Sequence, residues 1–308
     1  MNPDWKNHPV VAELANFGLI GFAGEDSLTF LQGQTTNDVR QTTPQQAQFG
    51  SLCSAKGRML ATFLLWRHDG DYLMELPAEL RAGIQQHLSK YLLRAKVKVR
   101  NASTEFVRLG VAGKGAAELL EEIFGALPPT PYGVVQNQNG MLVALSGERY
   151  EIIAVADQAS NLRNTLAQTC TPVACAYWDW LAIQAGVPAV LPATQEQFTP
   201  QMANVELLGG VSFTKGCYTG QEVVARTQHL GKVKRRLYLA HIPGDSAVQP
   251  GDELAGTEHG MIVNAEAAPG GGCDVLAVIA TEDAETGNIR WKTADGPLLQ
   301  FQTLPYPG

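Results

Sequence analysis

The stretch LIGFAG at residues 19–24, which leads into SLTFL at 27–31, decides the fold because the chain contains a second copy of it. In that copy, LGVAG at residues 109–113 leads into AAELL at 116–120. Each copy has the pattern of an apolar strand, a glycine turn and a helix. The repeat therefore predicts a duplicated α+β unit.

A second pair of segments repeats in the same order. YLMEL at residues 72–76 precedes a helical pattern over 79–93, and YEIIAV at 150–155 precedes another over 158–168. Both strand patterns are rich in β-forming residues, and both following segments have apolar residues at helical spacing. Two similar halves are therefore expected to fill most of the chain.

The pattern changes after Arg236. Short apolar runs alternate with Gly, Pro and Asp clusters and show no helical period, which is typical of a small all-β unit. We predict a C-terminal β-barrel that follows a basic linker at residues 232–236. The predicted fold class is α+β, with two related α+β domains at residues 1–100 and 101–231 and the barrel at 232–308.

Composition excludes several classes of protein. The 308 residues carry a net charge of −7, which disfavours a general binder of nucleic acid or membrane surfaces. There is no signal-peptide pattern at the N-terminus and no apolar run long enough to span a bilayer. The five cysteines lack C-x-x-C spacing and the six histidines lack ligand spacing, so we predict no metal site and a reducing, cytoplasmic location.

The most informative segment is KGCYTGQE at residues 215–222. Thr219 followed three residues later by Glu222 has the spacing of a capping box, in which the two side chains satisfy the first backbone N–H groups of a helix. This spacing predicts a helix over residues 220–228.

Cys217 would then lie just before a helix N-terminus. The helix dipole, the backbone N–H groups freed by Gly216 and Gly220, and the charge of Lys215 would all favour the thiolate. The segment therefore predicts an accessible, reactive thiol at Cys217, more reactive than the other four cysteines. The alternative is a glycine turn with a small packing cysteine.

The same eight residues resemble the signature of the YgfZ family, relatives of the glycine cleavage T-protein, an aminomethyltransferase. Further stretches that are similar to the family lie at residues 30–39, 55–58, 180–188 and 234–237. Together they occur in the family's order and cover nearly the whole chain. By this resemblance the motif residues are Lys215, Gly216, Cys217, Tyr218, Thr219, Gly220, Gln221, Glu222 and Arg226, with Cys217 and Lys215 as the candidate catalytic pair.

The resemblance implies a T-protein-like folate-binding fold in which three domains form a ring. Tetrahydrofolate, or a one-carbon derivative of it, would bind near the central opening. The implied role is the maintenance of iron–sulfur enzymes, including enzymes that modify tRNA, with the motif cysteine important for it. Its implied partners are folate and, transiently, iron–sulfur enzymes, without stable binding to nucleic acid or membrane.

Folate contacts can also be carried over from the family. Trp178, by its distance from Ala185 and Gly186, matches a tryptophan that contacts folate, and Phe17 is in a place where relatives have another aromatic residue. Both could instead be core residues. Gln184 replaces the glutamate that the T-protein pattern has before Ala-Gly, so it can still donate and accept hydrogen bonds but brings no negative charge.

The transferase acid of the T-protein pattern is missing. It would lie on the strand after the glycine turn, but GRMLATFLLW at residues 57–66 contains no carboxylate. We therefore expect the transferase chemistry to be lost. Two rival functions stay open: an aminomethyltransferase that takes its acid from elsewhere in the chain, and a cysteine-nucleophile enzyme with His229 as its base.

Four cations alternate with apolar residues near the end of the first half, at positions 94, 96, 98 and 100. In a strand this spacing places them on one face. They form a solvated face or, alternatively, attract the glutamate tail of folate or an RNA backbone.

Overall fold

A computed structural model describes residues 5–129, 131–231, 233–244 and 247–307, with the backbone alone for Gln158, His229 and Leu230. The first part contains β1 (Val10–Glu13), β2 (Phe17–Ala23), β3 (Gln48–Cys53), β4 (Met59–His68), β5 (Asp71–Pro77), β6 (Lys98–Asn101), α1 (Ser27–Gln32) and α2 (Ala78–Ser89). The second contains β7 (Phe106–Ala112), β8 (Val134–Asn137), β9 (Gly140–Leu145), β10 (Arg149–Val155), β11 (Thr171–Val173), α3 (Ala116–Phe124), α4 (Ala159–Thr169), α5 (Cys175–Gln184) and α6 (Gln221–Leu230). The C-terminal part contains β12 (Arg235–Ile242), β13 (Leu254–Ala255), β14 (Met261–Ala267), β15 (Cys273–Ala280), β16 (Arg290–Trp291), β17 (Gln300–Gln302) and α7 (Thr281–Ala284). Short 3₁₀ turns lie at Val39–Gln41, Ala156–Gln158 and Pro192–Thr194.

The two large sheets share one strand order. The first runs β3-β4-β5-β2-β6, and the second runs β8-β9-β10-β7-β1-β11. In each sheet the strand of the first repeated segment pairs with the strand of the second, β2 with β5 and β7 with β10. The repeat in the sequence therefore corresponds to a repeat in the sheets.

The glycine of each repeated turn lies directly against a neighbouring stretch of backbone. Gly24 has φ 123° and Gly113 has φ 98°, and a Cβ atom at these positions would lie 2.1 Å from the carbonyl oxygen of Lys96 and 2.5 Å from that of Trp5, respectively. Only glycine fits where a neighbouring backbone passes so closely. The passing chain continues into β6 in the first sheet and into β1 in the second.

The division into domains stays a prediction, although one strand lies outside the sheet of the predicted first half, residues 1–100. Its first strand, β1, pairs antiparallel with β7 and parallel with β11, so it belongs to the second sheet. In the second sheet, β1 lies between β7 and β11, the strand that follows α4. It thus pairs with the edge of β7 that β11 does not reach.

Both faces of the first sheet are buried. Along β4, Phe63 and Leu65 belong to a core shared with the C-terminal strands, whereas Leu64 and Trp66 belong to a core shared with the second sheet. Alternate side chains of a strand point to opposite faces, so β4 is apolar on both. The first sheet is thus packed between the second sheet and the C-terminal part.

The C-terminal part has a four-stranded sheet, β14-β15-β12-β17, and a two-stranded ribbon, β13-β16. Single bridges, Glu253 to Met261 and Arg290 to Leu298, join further segments to them. Within residues 233–244 and 247–307 these pairings do not close a barrel, and one helical turn, α7, interrupts the strands. The mixed α/β fold is confirmed, whereas the barrel and the ring stay predictions.

Candidate functional site

A cavity of about 950 Å³ lies where the two large sheets meet the C-terminal part. Its walls come from β4 and β5, from β10 and α5, and from β14. Cavities of this size hold small organic ligands. The cavity is therefore the first candidate for a binding site.

Aromatic rings form part of the cavity wall. Trp178 on α5 is 3% exposed, and its ring lies so close to β7 that a Cβ atom on Gly110 would be 2.6 Å from it. The guanidinium of Arg149 lies 5.1 Å from the centroid of the Trp178 ring. Tyr132 and Phe49 stack with centroids 6.2 Å apart and planes 10° apart. A flat ring system would find suitable surfaces here.

Two of the predicted folate-binding residues, Trp178 and Phe17, line this cavity. The third, Gln184, does not contribute to its wall. The Gln184 amide donates to Oδ2 of Asp274 at 2.9 Å, and the indole of Trp180 donates to the same oxygen at 2.7 Å. The position of Gln184 therefore gives no support to its predicted role at the pterin edge, because its amide instead joins α5 to β15.

A buried charged group lies at the side of the cavity. Nη1 of Arg108 donates to Oε2 of Glu75 at 2.9 Å, and Nη2 donates to the carbonyl of Phe17 at 2.6 Å. Glu151, which is 2% exposed, lies beside this pair. Burial and then the negative charge of Glu75 raise the pKa of Glu151 well above its usual range. The protonated form of Glu151 is therefore favoured relative to that of an exposed glutamate.

Three buried polar atoms of this region have no hydrogen-bond partner among the described residues: Nε of Arg108, Oε1 of Glu151 and Oδ1 of Asn16. The last two belong to residues of the cavity wall. Buried polar atoms of folded proteins are nearly always paired. Oε1 of Glu151 and Oδ1 of Asn16 are therefore candidates to accept hydrogen bonds from a ligand, although both atoms are buried behind the cavity surface and a side-chain movement would have to open them to it.

A second pair of carboxylates lies across the cavity. Asp179 on α5 accepts a hydrogen bond from Nδ2 of Asn16 at 2.7 Å, and burial raises the pKa of Asp179 to about 6. Burial and then the charge of Asp179 raise the pKa of Glu266 on β14 to about 7. Both groups can exchange a proton near neutral pH, which suits acid–base work.

Five charged residues of this site were not predicted from the sequence: Glu75, Arg108, Glu151, Asp179 and Glu266. The signal that could have found them is a single charged residue inside an otherwise apolar strand, as in YLMEL at residues 72–76 and YEIIAV at 150–155. Such a residue is expensive to bury unless a partner faces it. Which strands face each other is set by the tertiary fold, so the partners could not be named from the sequence.

The loop at residues 215–222 lies outside the cavity wall and is anchored by Lys215. This lysine is 6% exposed, and its Nζ donates to the carbonyls of Thr35 and Asn37, each at 2.7 Å. Nζ also lies 5.1 Å from the centroid of the Tyr218 ring. Burial lowers the pKa of Lys215 to about 8. The Lys215 ammonium therefore fastens the loop to the segment after α1.

Cys217 is exposed, as expected for an accessible thiol. The buried cysteines differ: burial raises the pKa of Cys53 to about 12 and those of Cys170 and Cys273 to about 11. Cys175, which is half-buried, donates its S–H to the carbonyl of Glu13 at 2.9 Å. Exposure thus distinguishes Cys217 from the other four cysteines.

The predicted helix after Cys217 is present as α6, but the predicted capping box of Thr219 and Glu222 is wrong. The N-cap of α6 is Gly220, with φ 83° and no side-chain cap. A Cβ atom on Gly220 would lie 2.4 Å from the carbonyl oxygen of Ser54, so close packing of two loops demands glycine at this position. The Thr219 N–H donates instead to the carbonyl of Gly33 at 3.2 Å.

Of the remaining side chains of the motif, Gln221 is half-buried, and two are exposed. Glu222 and Arg226 are 88% and 73% exposed and form a loose ion pair at 4.0 Å. His229, the base of the cysteine-enzyme alternative, is on α6, but its side chain lies outside the described residues. That alternative is therefore untested.

The cations at positions 94–100 are partly neutralised. Lys96 pairs with Glu25 at 2.5 Å, and Arg100 lies between Asp71 and Glu105 at 2.8 and 2.9 Å. This face is therefore less positive than the sequence alone indicates. In the part of the chain that the structure describes, no helix has the length and apolarity required to cross a membrane.

Comparisons with known proteins agree with the fold. The family model of the GCVT N-terminal domain matches residues 5–210. The chain is 32% identical to the tRNA-modifying protein YgfZ of Colwellia psychrerythraea over 300 residues, 96% of this chain and 92% of that protein. It is 34% identical to the protein of the same name from Yersinia pseudotuberculosis over 304 residues, 95% and 91% of the two chains.

Among solved structures, the glycine cleavage system aminomethyltransferase T from Bartonella henselae superposes with a TM-score of 0.73. The match covers 97% of this chain and 86% of that one. Because the identity is 15%, the match supports a similarity of fold alone. The family model and the curated relatives identify the group more closely. The chain belongs to the YgfZ family, among the proteins that carry a GCVT N-terminal domain.

Proposed function

We propose that this protein is a cytoplasmic, folate-binding accessory protein of the YgfZ type that supports iron–sulfur enzymes and thereby tRNA modification. The observation that carries the proposal is the central cavity, which combines aromatic walls with the unpaired oxygen of the buried Glu151. All three parts of the chain line this cavity, which is consistent with the ring that the family resemblance implies.

The residues present fit a reduced folate. A pterin has a flat ring with donors and acceptors along one edge, and Glu151 and Asn16 offer unpaired oxygens to such donors. Trp178 and Phe17 supply apolar walls, and the cavity is large enough for the pterin and the aminobenzoyl group. Once bound, tetrahydrofolate would supply a carrier for one-carbon units.

The chain's own residues would hold the ring and control protons near it. Arg108 pairs with Glu75 and holds it in place, and burial together with the negative charge of Glu75 raises the pKa of the neighbouring Glu151. The raised pKa of Glu151 favours its protonated form, which can both donate and accept hydrogen bonds and so can pair with the mixed donor and acceptor edge of a pterin. The guanidinium of Arg149 holds the Trp178 ring against β7.

The proposed role in tRNA modification rests on the curated relatives, which are named tRNA-modifying proteins. The proposed link to iron–sulfur enzymes and to Cys217 rests on the motif resemblance and on the exposure of the thiol. Because Lys215 anchors the loop, Cys217 is presented at a fixed place outside the cavity. We propose that iron–sulfur enzymes bind the protein at this loop.

A titration with tetrahydrofolate, followed by tryptophan fluorescence, tests the binding half of the proposal. We expect a saturable change in the wild type that Trp178→Phe largely removes, while the other tryptophans serve as an internal reference. Absence of any change in the wild type up to millimolar tetrahydrofolate would contradict the proposal.

Complementation tests the cellular half. In cells that lack the native gene, the wild-type protein should restore the activity of an iron–sulfur enzyme and Cys217→Ser should not, although the variant still folds and binds tetrahydrofolate. Full rescue by Cys217→Ser would make the cysteine a bystander.

One observation favours a second candidate, an aminomethyltransferase that takes its acid from another element. Asp179 and Glu266 line the cavity with pKa values of about 6 and about 7, so either can donate or accept a proton at neutral pH. Folate-dependent release of ammonia from an aminomethyl donor, lost in both Asp179→Asn and Glu266→Gln, would support this function. No turnover by the wild type would exclude it.

A further inference from the structure

A second cleft, about 690 Å³ in volume, is lined in part by the segment at residues 196–198, which does not contribute to the wall of the central cavity. Its walls come from the turn between β3 and β4, from the start of β12 and from residues 253–261. Neither the folate proposal nor the thiol proposal uses it. Three cations, Lys56, Arg58 and Arg235, line it.

The two guanidinium groups of the cleft lack carboxylate partners. Nη1 of Arg58 donates to the carbonyl of Gln197 at 2.6 Å, and Nη1 of Arg235 donates to the carbonyl of His259 at 3.1 Å. Neither arginine forms an ion pair within residues 5–129, 131–231, 233–244 and 247–307. Burial and then the positive charge of Arg58 lower the pKa of Arg235, whereas the negative charge of Glu258 raises it, so Arg58 lies close enough to Arg235 for the two cations to repel each other.

Two carboxylates, Glu196 and Glu253, also line the cleft, and a third, Glu258, lies near enough to act on Arg235. All three are exposed, whereas Arg58 and Arg235 are half-buried. Solvent screens an exposed charge more than a half-buried one. The two guanidinium charges of the cleft are therefore screened less than its carboxylates. An anion that bridges both guanidiniums would remove their repulsion.

The cleft adjoins the loop that carries Cys217. A Cβ atom on Gly57, in the turn between Lys56 and Arg58, would lie 2.7 Å from Cβ of Val223 and 3.2 Å from the carbonyl oxygen of Gly220. The turn thus packs directly on the start of α6. Three stretches that carry the family resemblance, at residues 55–58, 215–222 and 234–237, converge at this place.

We infer that Arg58 and Arg235, with Lys56 at the rim, form a binding site for a phosphate group beside the Cys217 loop. A carboxylate has two oxygens and is satisfied by one guanidinium, whereas a phosphate presents three or more oxygens and can bridge two guanidiniums and an ammonium. The phosphate can belong to a small phosphorylated molecule or to an RNA backbone. The inference does not depend on what the central cavity binds.

The test uses the full chain and inorganic phosphate as the first probe. Phosphate should raise the thermal unfolding midpoint more than chloride does at equal ionic strength, because it binds the folded state alone. Arg58→Gln and Arg235→Gln should each weaken phosphate binding by about tenfold, as expected for the loss of a charge-assisted hydrogen bond. Lys114→Gln, which removes an exposed lysine in the turn after β7, is the matched control and should bind as the wild type does.

Lys56→Gln is a variant whose effect cannot be ascribed to misfolding, because Lys56 is exposed. Its replacement should leave the fold intact and weaken phosphate binding. A second arm compares a nucleoside monophosphate with a single-stranded RNA oligonucleotide by fluorescence anisotropy. Tighter binding of the RNA, with a salt slope that falls by about 1 in each variant, assigns the phosphate to an RNA backbone. Equal binding of both assigns it to a small molecule.

Three results would overturn the inference. The first is stabilisation by phosphate no greater than by chloride, and the second is unchanged phosphate binding in Arg58→Gln, Arg235→Gln and Lys56→Gln. The third is competition by an acidic glutamate peptide as effective as that by phosphate, since this would identify a carboxylate site.

Discussion

Replacing Lys215 by methionine should destabilise the protein, by an amount that depends on pH. The buried ammonium of Lys215 donates two hydrogen bonds to the carbonyls of Thr35 and Asn37. Each charged hydrogen bond is worth ~1.5–3 kcal/mol. Burial offsets much of this gain, because the fall of the Lys215 pKa from 10.5 to about 8 corresponds to ~3 kcal/mol. We therefore expect Lys215→Met to lower the free energy of unfolding by ~2 kcal/mol at pH 7, including the cost of two unpaired carbonyls.

The sign of the pH dependence follows from proton binding. Between pH 8 and 10.5 the unfolded chain keeps the Lys215 proton while the folded chain releases it. Stability rises with pH wherever the unfolded state binds more protons. The stability of the wild type relative to Lys215→Met should therefore increase across this window, by ~2 kcal/mol between pH 8 and 10.

Urea unfolding at pH 7, 8, 9 and 10, followed by tryptophan fluorescence, measures this difference. Lys114→Met is the control, because Lys114 is exposed and its replacement should leave the free energy of unfolding nearly unchanged at every pH. A difference between wild type and Lys215→Met that stays constant or shrinks as the pH rises would refute the assignment of a buried, charged Lys215.

Three further predictions concern other residues. Gln184→Glu should lower the free energy of unfolding, measured by denaturant unfolding, by ~1–3 kcal/mol, because a carboxylate would face Asp274. Unchanged stability would contradict the hydrogen bond between Gln184 and Asp274. Glu266→Gln should stabilise the protein by ~1–2 kcal/mol at pH 8 and have little effect at pH 4. The reason is that the folded Glu266 holds its proton up to about pH 7, whereas the unfolded one loses it near 4.5. Equal effects at both pH values in urea titrations would contradict the raised pKa of Glu266. Cys217 should be alkylated faster than every other cysteine between pH 6 and 9, as measured for each residue by mass spectrometry, and rates equal to that of the buried Cys53 would show that the loop thiol is not accessible.

Local patterns predicted much of the fold. The glycine turns at Gly24 and Gly113, and the strands and helices that flank them, follow from residues close together in the sequence, so the duplication was visible. The pairing of β1 with β7 was not visible, because it joins residues about a hundred positions apart. Sheet neighbours of this kind are set by the packing of whole elements and leave no local pattern.

The candidate site shows the same division. Trp178 was found through a motif and lies in the cavity, whereas the group of Glu75, Arg108 and Glu151 was missed because its members meet only in the fold. The expected cap at Thr219 failed for a similar reason, since the approach of the turn at Ser54 demands Gly220 at the helix start. The sequence identified the loop, and the tertiary contacts determined its geometry.

Calorimetric titration of the wild type, Glu151→Leu and Glu151→Gln with tetrahydrofolate tests the central claim most directly. The wild type should bind one tetrahydrofolate per chain in the micromolar range, near −8 kcal/mol as an order-of-magnitude value. Glu151→Leu removes both oxygens at similar volume and should weaken binding by about tenfold or more, whereas Glu151→Gln keeps a donor and an acceptor and should weaken it less. No heat with the wild type up to millimolar tetrahydrofolate, or equal affinity in Glu151→Leu, would contradict a folate site at Glu151 in the central cavity.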